Sequence, residues 1–135
     1  MQPLDRPTVQ RRIVVSILGI EKDANAMYTY IEPVSGQSFV KADNCRMKIN
    51  RPTVCLFVLD DEAAANGWTI RCITPKPDGA DKLPSEHGAY GLSLATYNDH
   101  ANHSQVFNYY IHFFNAVTEA TFKEDPQEEN IPPPQ

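Results

Sequence analysis

Apolar and polar residues alternate with a period of two along most of this chain. The clearest example is the run 106–114. One parity of that run is wholly apolar or aromatic: Phe107, Tyr109, Ile111 and Phe113. The other parity is mixed: Val106, Asn108, Tyr110, His112 and Phe114. Successive side chains of a β-strand point to opposite faces, so the pattern predicts a strand with one face on a core and one half-exposed face.

Similar short patterns, separated by turn residues, predict about eight or nine strands. They are expected over residues 12–18, 27–32, 38–41, 46–49, 53–59, 68–73, 90–97, 106–114 and 119–123. The segment 60–67 is expected to form one or two helical turns, with Asp60 as N-cap and Asn66-Gly67 as the end. No helical pattern is long enough for a βαβ unit. The sequence therefore predicts an all-β fold, an antiparallel immunoglobulin-like β-sandwich, with a small β-barrel as the alternative.

The length of 135 residues predicts one domain. We expect the sandwich over residues 11–125, after a flexible N-terminal segment at 1–10. The acidic, proline-rich stretch 126–135 is typical of a disordered tail. The proline- and glycine-containing stretch 75–88 predicts a long surface loop.

Charge and cysteine content narrow the classes of function. The chain has 12 Lys and Arg against 17 Asp and Glu, a net charge of −5, which argues against a nucleic-acid partner. No apolar stretch is long enough for a membrane span, and the N-terminus has no signal pattern, so a cytoplasmic protein without a membrane partner is predicted. Cys45, Cys55 and Cys72 lack metal-binding spacing and are expected to be free thiols in a reducing compartment. A Cys55–Cys72 bridge is the alternative, and it would require export.

Motifs for catalysis are not found. The chain has no Gly-x-Ser-x-Gly elbow and no glycine-rich phosphate loop, so we predict no enzyme activity and no cofactor. Asp99, His100 and His103 form the only cluster with imidazoles. Two histidines and a carboxylate suit zinc or copper, whereas solvated loop residues are the simpler interpretation.

Aromatic residues give the leading functional hypothesis. Tyr28 and Tyr30 share one parity of their strand, and Tyr110, His112 and Phe114 share the mixed parity of theirs. If these side chains are exposed and adjacent, they would form a binding face. The alternative is that they cover the core.

We therefore predict a non-catalytic interaction module that binds a protein partner or itself, as a homodimer, through an aromatic sheet face or a strand edge such as 38–41. The alternative is a small-ligand, glycan or metal-binding domain with its site in loops at one end of the sandwich.

Two short segments carry a resemblance to a known family. An aromatic-rich strand, a turn and a second strand precede Asp125-Pro126, and Asn130 follows a few residues later. The step Ile31-Glu32-Pro33 supplies a second dipeptide. In these segments the chain resembles the DP-EP family of small uncharacterised bacterial proteins. The resemblance implies a bacterial protein with an immunoglobulin-like or similar sandwich, and it transfers no catalytic residue.

Overall fold

The computed structural model describes residues 8–31, 38–41, 45–76, 83–84, 86–102 and 104–133. Within these residues it contains eleven strands and one helix. They are β1 (Val9–Leu18), β2 (Asn25–Ile31), β3 (Ser38–Lys41), β4 (Arg46–Ile49), β5 (Thr53–Leu59), α1 (Asp61–Ala65), β6 (Trp68–Pro75), β7 (Glu86–Ala89), β8 (Ser93–Asn98), β9 (Val106–Asn115), β10 (Thr121–Glu124) and β11 (Gln127–Asn130). The all-β prediction is confirmed. No helix in the described part of the chain is both long and apolar enough to cross a membrane.

The strands form two sheets. The first sheet has the order β3-β2-β1-β5-β8-β7, and the second has the order β10-β9-β11-β4, with β6 also paired to β9. Neither sheet closes on itself within the described residues, so the β-sandwich is confirmed and the barrel alternative is wrong. The pairs β1–β5 and β4–β11 are parallel, so both sheets are mixed rather than purely antiparallel. Each parallel pair joins strands far apart in sequence, as parallel pairing requires.

The core lies between the sheets and follows the alternation along β9. Tyr109, Ile111 and Phe113 are fully buried, and Phe107 packs against the edge of the core. The Phe113 ring stacks on Phe122 with 4.8 Å between ring centroids, and Trp68 meets Phe122 edge-on at 5.0 Å. The burial predicted for one parity of this strand is confirmed for Tyr109, Ile111 and Phe113, whereas Phe107 is only partly buried. Each such side chain contributes about 1.5–3 kcal/mol by leaving water.

The predicted helical segment is confirmed as a short helix. The Asp60 side chain accepts a hydrogen bond from the backbone N–H of Ala63 at 2.7 Å, which caps α1. Gly67 follows with a φ of +97°, a left-handed conformation that glycine adopts with little strain.

The C-terminal region is more ordered than its composition suggests. The prediction of a disordered tail over 126–135 is wrong for Gln127–Asn130, which form β11, and Glu128 is 0% exposed. The prediction failed because this strand has no apolar side chain to reveal it. Residues 134–135 lie outside the described residues.

Two other predicted irregular segments are partly strand. Val9 and Gln10 belong to β1, so a flexible N-terminal segment is wrong for those two residues. Glu86–Ala89 form β7 along β8, so the surface loop is shorter than predicted. Backbone pairing to a neighbouring strand orders these segments although their side chains carry no strand pattern. Residues 1–7, 77–82 and 85 lie outside the described residues.

Candidate functional site

The aromatic residues predicted to share a face lie on two different sheets. Tyr28 and Tyr30 are on β2 with 0% and 6% of their surfaces exposed, and the Tyr28 ring meets Phe57 edge-on at 6.3 Å. The prediction that Tyr28 and Tyr30 belong to an exposed binding face is therefore wrong, because their parity of β2 faces the core. Tyr110, His112 and Phe114 lie half-buried on the outer face of β9, as the mixed parity indicated.

Basic side chains cover the rings on the outer face of β9. The Arg71 guanidinium carbon lies 4.0 Å from the centroid of Phe114. The Nζ atoms of Lys123 and Lys76 lie 4.2 Å and 5.7 Å from the centroid of Tyr110. Such contacts contribute about 0.5–2 kcal/mol each. We call this surface the aromatic–cationic face; it comprises Arg71, Cys72, Thr74, Lys76, Tyr110, His112, Phe114 and Lys123.

A register shift in β6 shapes this face. The pairing of β6 with β9 slips between Ile70 and Cys72, and both Arg71 and Cys72 are exposed there. A β-bulge of this kind redirects side chains at a sheet edge. Cys72 lies opposite His112 in the register, which places an exposed thiol within the face.

His112 is held in the middle of the face. Its Nε2 lies 2.8 Å from the Thr74 hydroxyl oxygen, and its ring meets Tyr110 edge-on. Partial burial and the neighbouring Lys123 lower the pKa of His112 below its usual value. The neutral imidazole is therefore favoured, and the positive charge of the face comes from Arg71, Lys76 and Lys123. Lys76 is also paired with Asp125 at 3.2 Å.

The candidate metal residues do not form a ligand set. His100 is 5% exposed, and its Nε2 lies 2.6 Å from the carbonyl oxygen of Ile131. Asp99 accepts a hydrogen bond from the backbone N–H of Ala101 at 3.0 Å. His103 lies outside the described residues. In the part of the chain that the structure describes, no group of three His, Cys, Asp or Glu residues is placed to hold a metal ion.

The predicted strand edge is partly supported by the topology. β3 is the terminal strand of the first sheet, pairing with β2. This is the position from which strand addition is possible.

A buried polar cluster inside the sandwich was missed from the sequence. Glu128 on β11 accepts hydrogen bonds at one carboxylate oxygen from the Tyr109 hydroxyl at 2.6 Å and the Thr96 hydroxyl at 2.9 Å. Its other oxygen lies 3.4 Å from the Asn98 side-chain nitrogen. Asn98 also donates to the Asn130 side-chain oxygen at 2.7 Å. We call these five residues the Glu128 cluster.

The cluster is tied to the neighbouring loop. The Asn130 side-chain nitrogen donates to the carbonyl oxygen of Asn102 at 3.0 Å, and the Asn98 side-chain oxygen accepts from the backbone N–H of His100 at 2.9 Å. One sequence signal pointed to the cluster. Tyr109 occupies the core parity of its strand, and a buried tyrosine hydroxyl usually needs a polar partner.

Burial dominates the electrostatics of the cluster. It raises the pKa of Glu128 above the usual glutamate value, and the hydrogen bonds from Tyr109 and Thr96 partly oppose this. Arg11, itself 5% exposed, opposes it as well. Burial and the Glu128 carboxyl also raise the pKa of the Cys55 thiol, which favours its unreactive protonated form.

Fold and site together define a class: a small all-β sandwich with a polar cluster in its core and an aromatic–cationic outer face. Comparison with models of known families and with curated proteins finds no match. The resemblance to the DP-EP family stays a prediction.

Proposed function

We propose that this protein is a non-catalytic interaction module that binds an acidic segment of a partner protein through the aromatic–cationic face. The observation that carries the proposal is the pair of cations, Arg71 and Lys123, stacked at 4.0 Å and 4.2 Å on Phe114 and Tyr110. Two positive groups are thus held over a half-buried aromatic surface.

This arrangement suits carboxylates next to apolar groups. Arg and Lys side chains that lie on aromatic rings have already lost part of their freedom and hydration, so less is lost when a partner docks. The rings between them offer apolar contact to a partner's aliphatic or aromatic side chains. The face therefore fits a peptide in which acidic and apolar residues alternate.

The overall charge selects against a longer polyanion. The whole chain has a net charge of −5, so repulsion from the remaining surface opposes nucleic acid, whereas a short acidic peptide meets mainly the face. The three free cysteines, including the exposed Cys72, support a reducing cytoplasmic compartment for this interaction.

Labelled peptides with defined charge test the proposal. Three probes of equal length are compared by fluorescence anisotropy: alternating Glu and Leu, alternating Gln and Leu, and alternating Lys and Leu. The acidic probe is expected to bind more tightly than the other two, and more weakly as salt increases. It is also expected to protect Cys72 from alkylation by N-ethylmaleimide, because this thiol lies within the face.

A charge-matched pair of variants locates the binding surface. The double variant Arg71→Gln, Lys123→Gln is expected to lose about tenfold in affinity for the acidic probe, which corresponds to about 1.4 kcal/mol. The control Arg46→Gln, Lys48→Gln removes the same charge from β4, where both side chains are exposed on the same sheet. Equal losses in the two double variants, or binding that leaves Cys72 fully reactive, would overturn the proposal.

A further inference from the structure

β11 has an unusual composition for an inner strand. It consists of Gln127, Glu128, Glu129 and Asn130, and it is the only one of the eleven described strands without an apolar residue. It nevertheless lies between β9 and β4, pairing with both. Charged residues are almost never fully buried unless they are paired.

β11 is held in the sheet mainly by polar interactions, which an identical strand from another molecule could also make. Hydrophobic burial contributes little, because its two inward side chains are Glu128 and Asn130. Backbone pairing and the Glu128 cluster hold it, while desolvation of the Glu128 carboxyl opposes docking. Among the strands, such a segment is expected to open at comparatively low free energy.

We take the two residues that precede β11, Asp125 and Pro126, as the hinge of this opening, because they interrupt the strand. β10 and β11 run along the same edge of β9 without a register change: Glu124 lies opposite Ile111, and Gln127 lies opposite Asn108. Asp125 and Pro126 separate the two strands, and proline has no backbone N–H to donate to the sheet.

An unsatisfied hydroxyl lies close to this hinge. The buried Tyr28 hydroxyl has no hydrogen-bond partner among the described residues, and Glu124 and Asp125 are near enough to raise its pKa. Opening at the hinge would let water reach this group, which offsets part of the cost of opening.

The hydrogen-bond donors around β11 determine which strand can bind in its place. Without β11, the hydroxyls of Tyr109 and Thr96 and the amide of Asn98 would face an empty slot. An apolar strand would bury these donors unpaired at about 1–3 kcal/mol each. A strand with a carboxylate followed two residues later by an amide satisfies them. A second copy of the chain carries this sequence at Glu128 and Asn130.

We propose that the space between β9 and β4 is a strand-acceptor site for a Glu-x-Asn strand, filled in cis by β11 and in trans by β11 of a second copy. Reciprocal exchange fills both sites and gives a symmetric dimer. Every contact within the site is kept, so the exchanged dimer is favoured by protein concentration. The exchanged contacts lie outside the aromatic–cationic face, although the hinge residue Asp125 is paired with Lys76 of that face. The proposal does not rest on the function proposed above.

An engineered cysteine pair reports which copy supplies the strand. Asn108→Cys and Gln127→Cys, in a Cys72→Ser background, place thiols at partner positions of β9 and β11. Protein labelled with ¹⁵N is mixed with protein containing ¹⁴N. The mixture is incubated at low (micromolar) or high (millimolar) concentration and then oxidised. Mass spectrometry identifies whether the linked peptides come from one copy or two. We expect links within one copy at low concentration and mixed-isotope links between positions 108 and 127 at high concentration.

A matched pair in a strand with an apolar inner face controls for random crosslinking. Val14→Cys and Thr29→Cys, at partner positions of β1 and β2, are expected to link within one copy at both concentrations. Native mass spectrometry of the mixed, unmodified protein provides a second measurement that needs no substitution. The proposal is overturned by 108–127 links within single copies at every concentration, whether or not dimers form. Dimers with only such links would indicate association through another surface.

Discussion

The Tyr109 hydroxyl provides the most direct test of the buried polar cluster. The variant Tyr109→Phe removes the donor that lies 2.6 Å from the Glu128 carboxylate and keeps the ring in the core. Two donors remain, Thr96 and Asn98, the latter at the longer distance of 3.4 Å. The variant therefore weakens the cluster without creating a large cavity.

The expected loss follows from the charge of the acceptor. A hydrogen bond to a charged group contributes about 1.5–3 kcal/mol net, against about 0.5–1.5 kcal/mol between neutral groups. We expect the upper range where Glu128 is ionised. With a urea dependence of about 1–3 kcal/mol per molar, a loss of about 2 kcal/mol lowers the unfolding midpoint by roughly 1 M.

The loss should depend on pH. Burial raises the folded-state pKa of Glu128 above its unfolded value of about 4.3. The stability associated with this group is fully present below that unfolded pKa and is lost as pH rises through the folded pKa. The Tyr109 hydrogen bond favours the ionised carboxylate, so its removal raises the pKa further. The unfolded-state pKa is the same for both proteins, so the difference in stability between wild type and Tyr109→Phe should widen as pH rises through the raised folded-state pKa of Glu128 in the wild type.

Urea unfolding across pH 4 to 8, followed by circular dichroism, measures this difference. Tyr110→Phe is the matched control, because Tyr110 is the next residue and lies on the outer face. Its effect should stay within about 0.5 kcal/mol at every pH. A loss for Tyr109→Phe that is the same at both ends of the pH range would refute the role assigned to the Glu128 carboxylate.

Two further predictions concern local structure and are measured by urea unfolding. Gly67→Ala should destabilise the fold by about 1–3 kcal/mol, since φ is +97° and a Cβ would lie 2.9 Å from both Asn115 and Val117 atoms. Gly91→Ala, at φ +83° with no atom within 4 Å of the added Cβ, should cost only about 1 kcal/mol; equal losses would contradict the steric argument. Asp60→Ala should cost about 0.5–2 kcal/mol through loss of the N-cap bond to Ala63, and Asp61→Ala less; the reverse order would show that the cap is unimportant.

The sequence predicts best where one parity is clearly apolar. The core positions Tyr109, Ile111 and Phe113 of β9 were predicted correctly, because the residues between them, Tyr110 and His112, carry polar groups. In β2 both parities contain apolar side chains, so alternation does not decide whether Tyr28 and Tyr30 face inward. Alternation also has the same period in parallel and antiparallel strands, so the two parallel pairs were not foreseen.

The Glu128 cluster was beyond sequence reasoning for a different reason. Glu128 lies 19 residues from Tyr109 and 32 from Thr96, so its partners are brought together only by the fold. Taken alone, Gln127–Asn130 has the composition of a disordered segment. The aromatic–cationic face was predicted in part, because the mixed parity pointed to Tyr110, His112 and Phe114. Arg71 was not predicted, since its position beside Phe114 depends on the register shift in β6.

The parallel pairing of β4 with β11 also affects how the protein is made. Lys48 and Glu129 form an ion pair across these strands although 81 residues separate them in the chain. During synthesis, β4 leaves the ribosome long before its neighbour exists, and at about 5–20 residues per second this delay lasts several seconds. Pairings between such distant segments are also slow to form. We therefore expect the second sheet to be completed only after translation has passed Asn130, leaving nascent β4 open to chaperones until then.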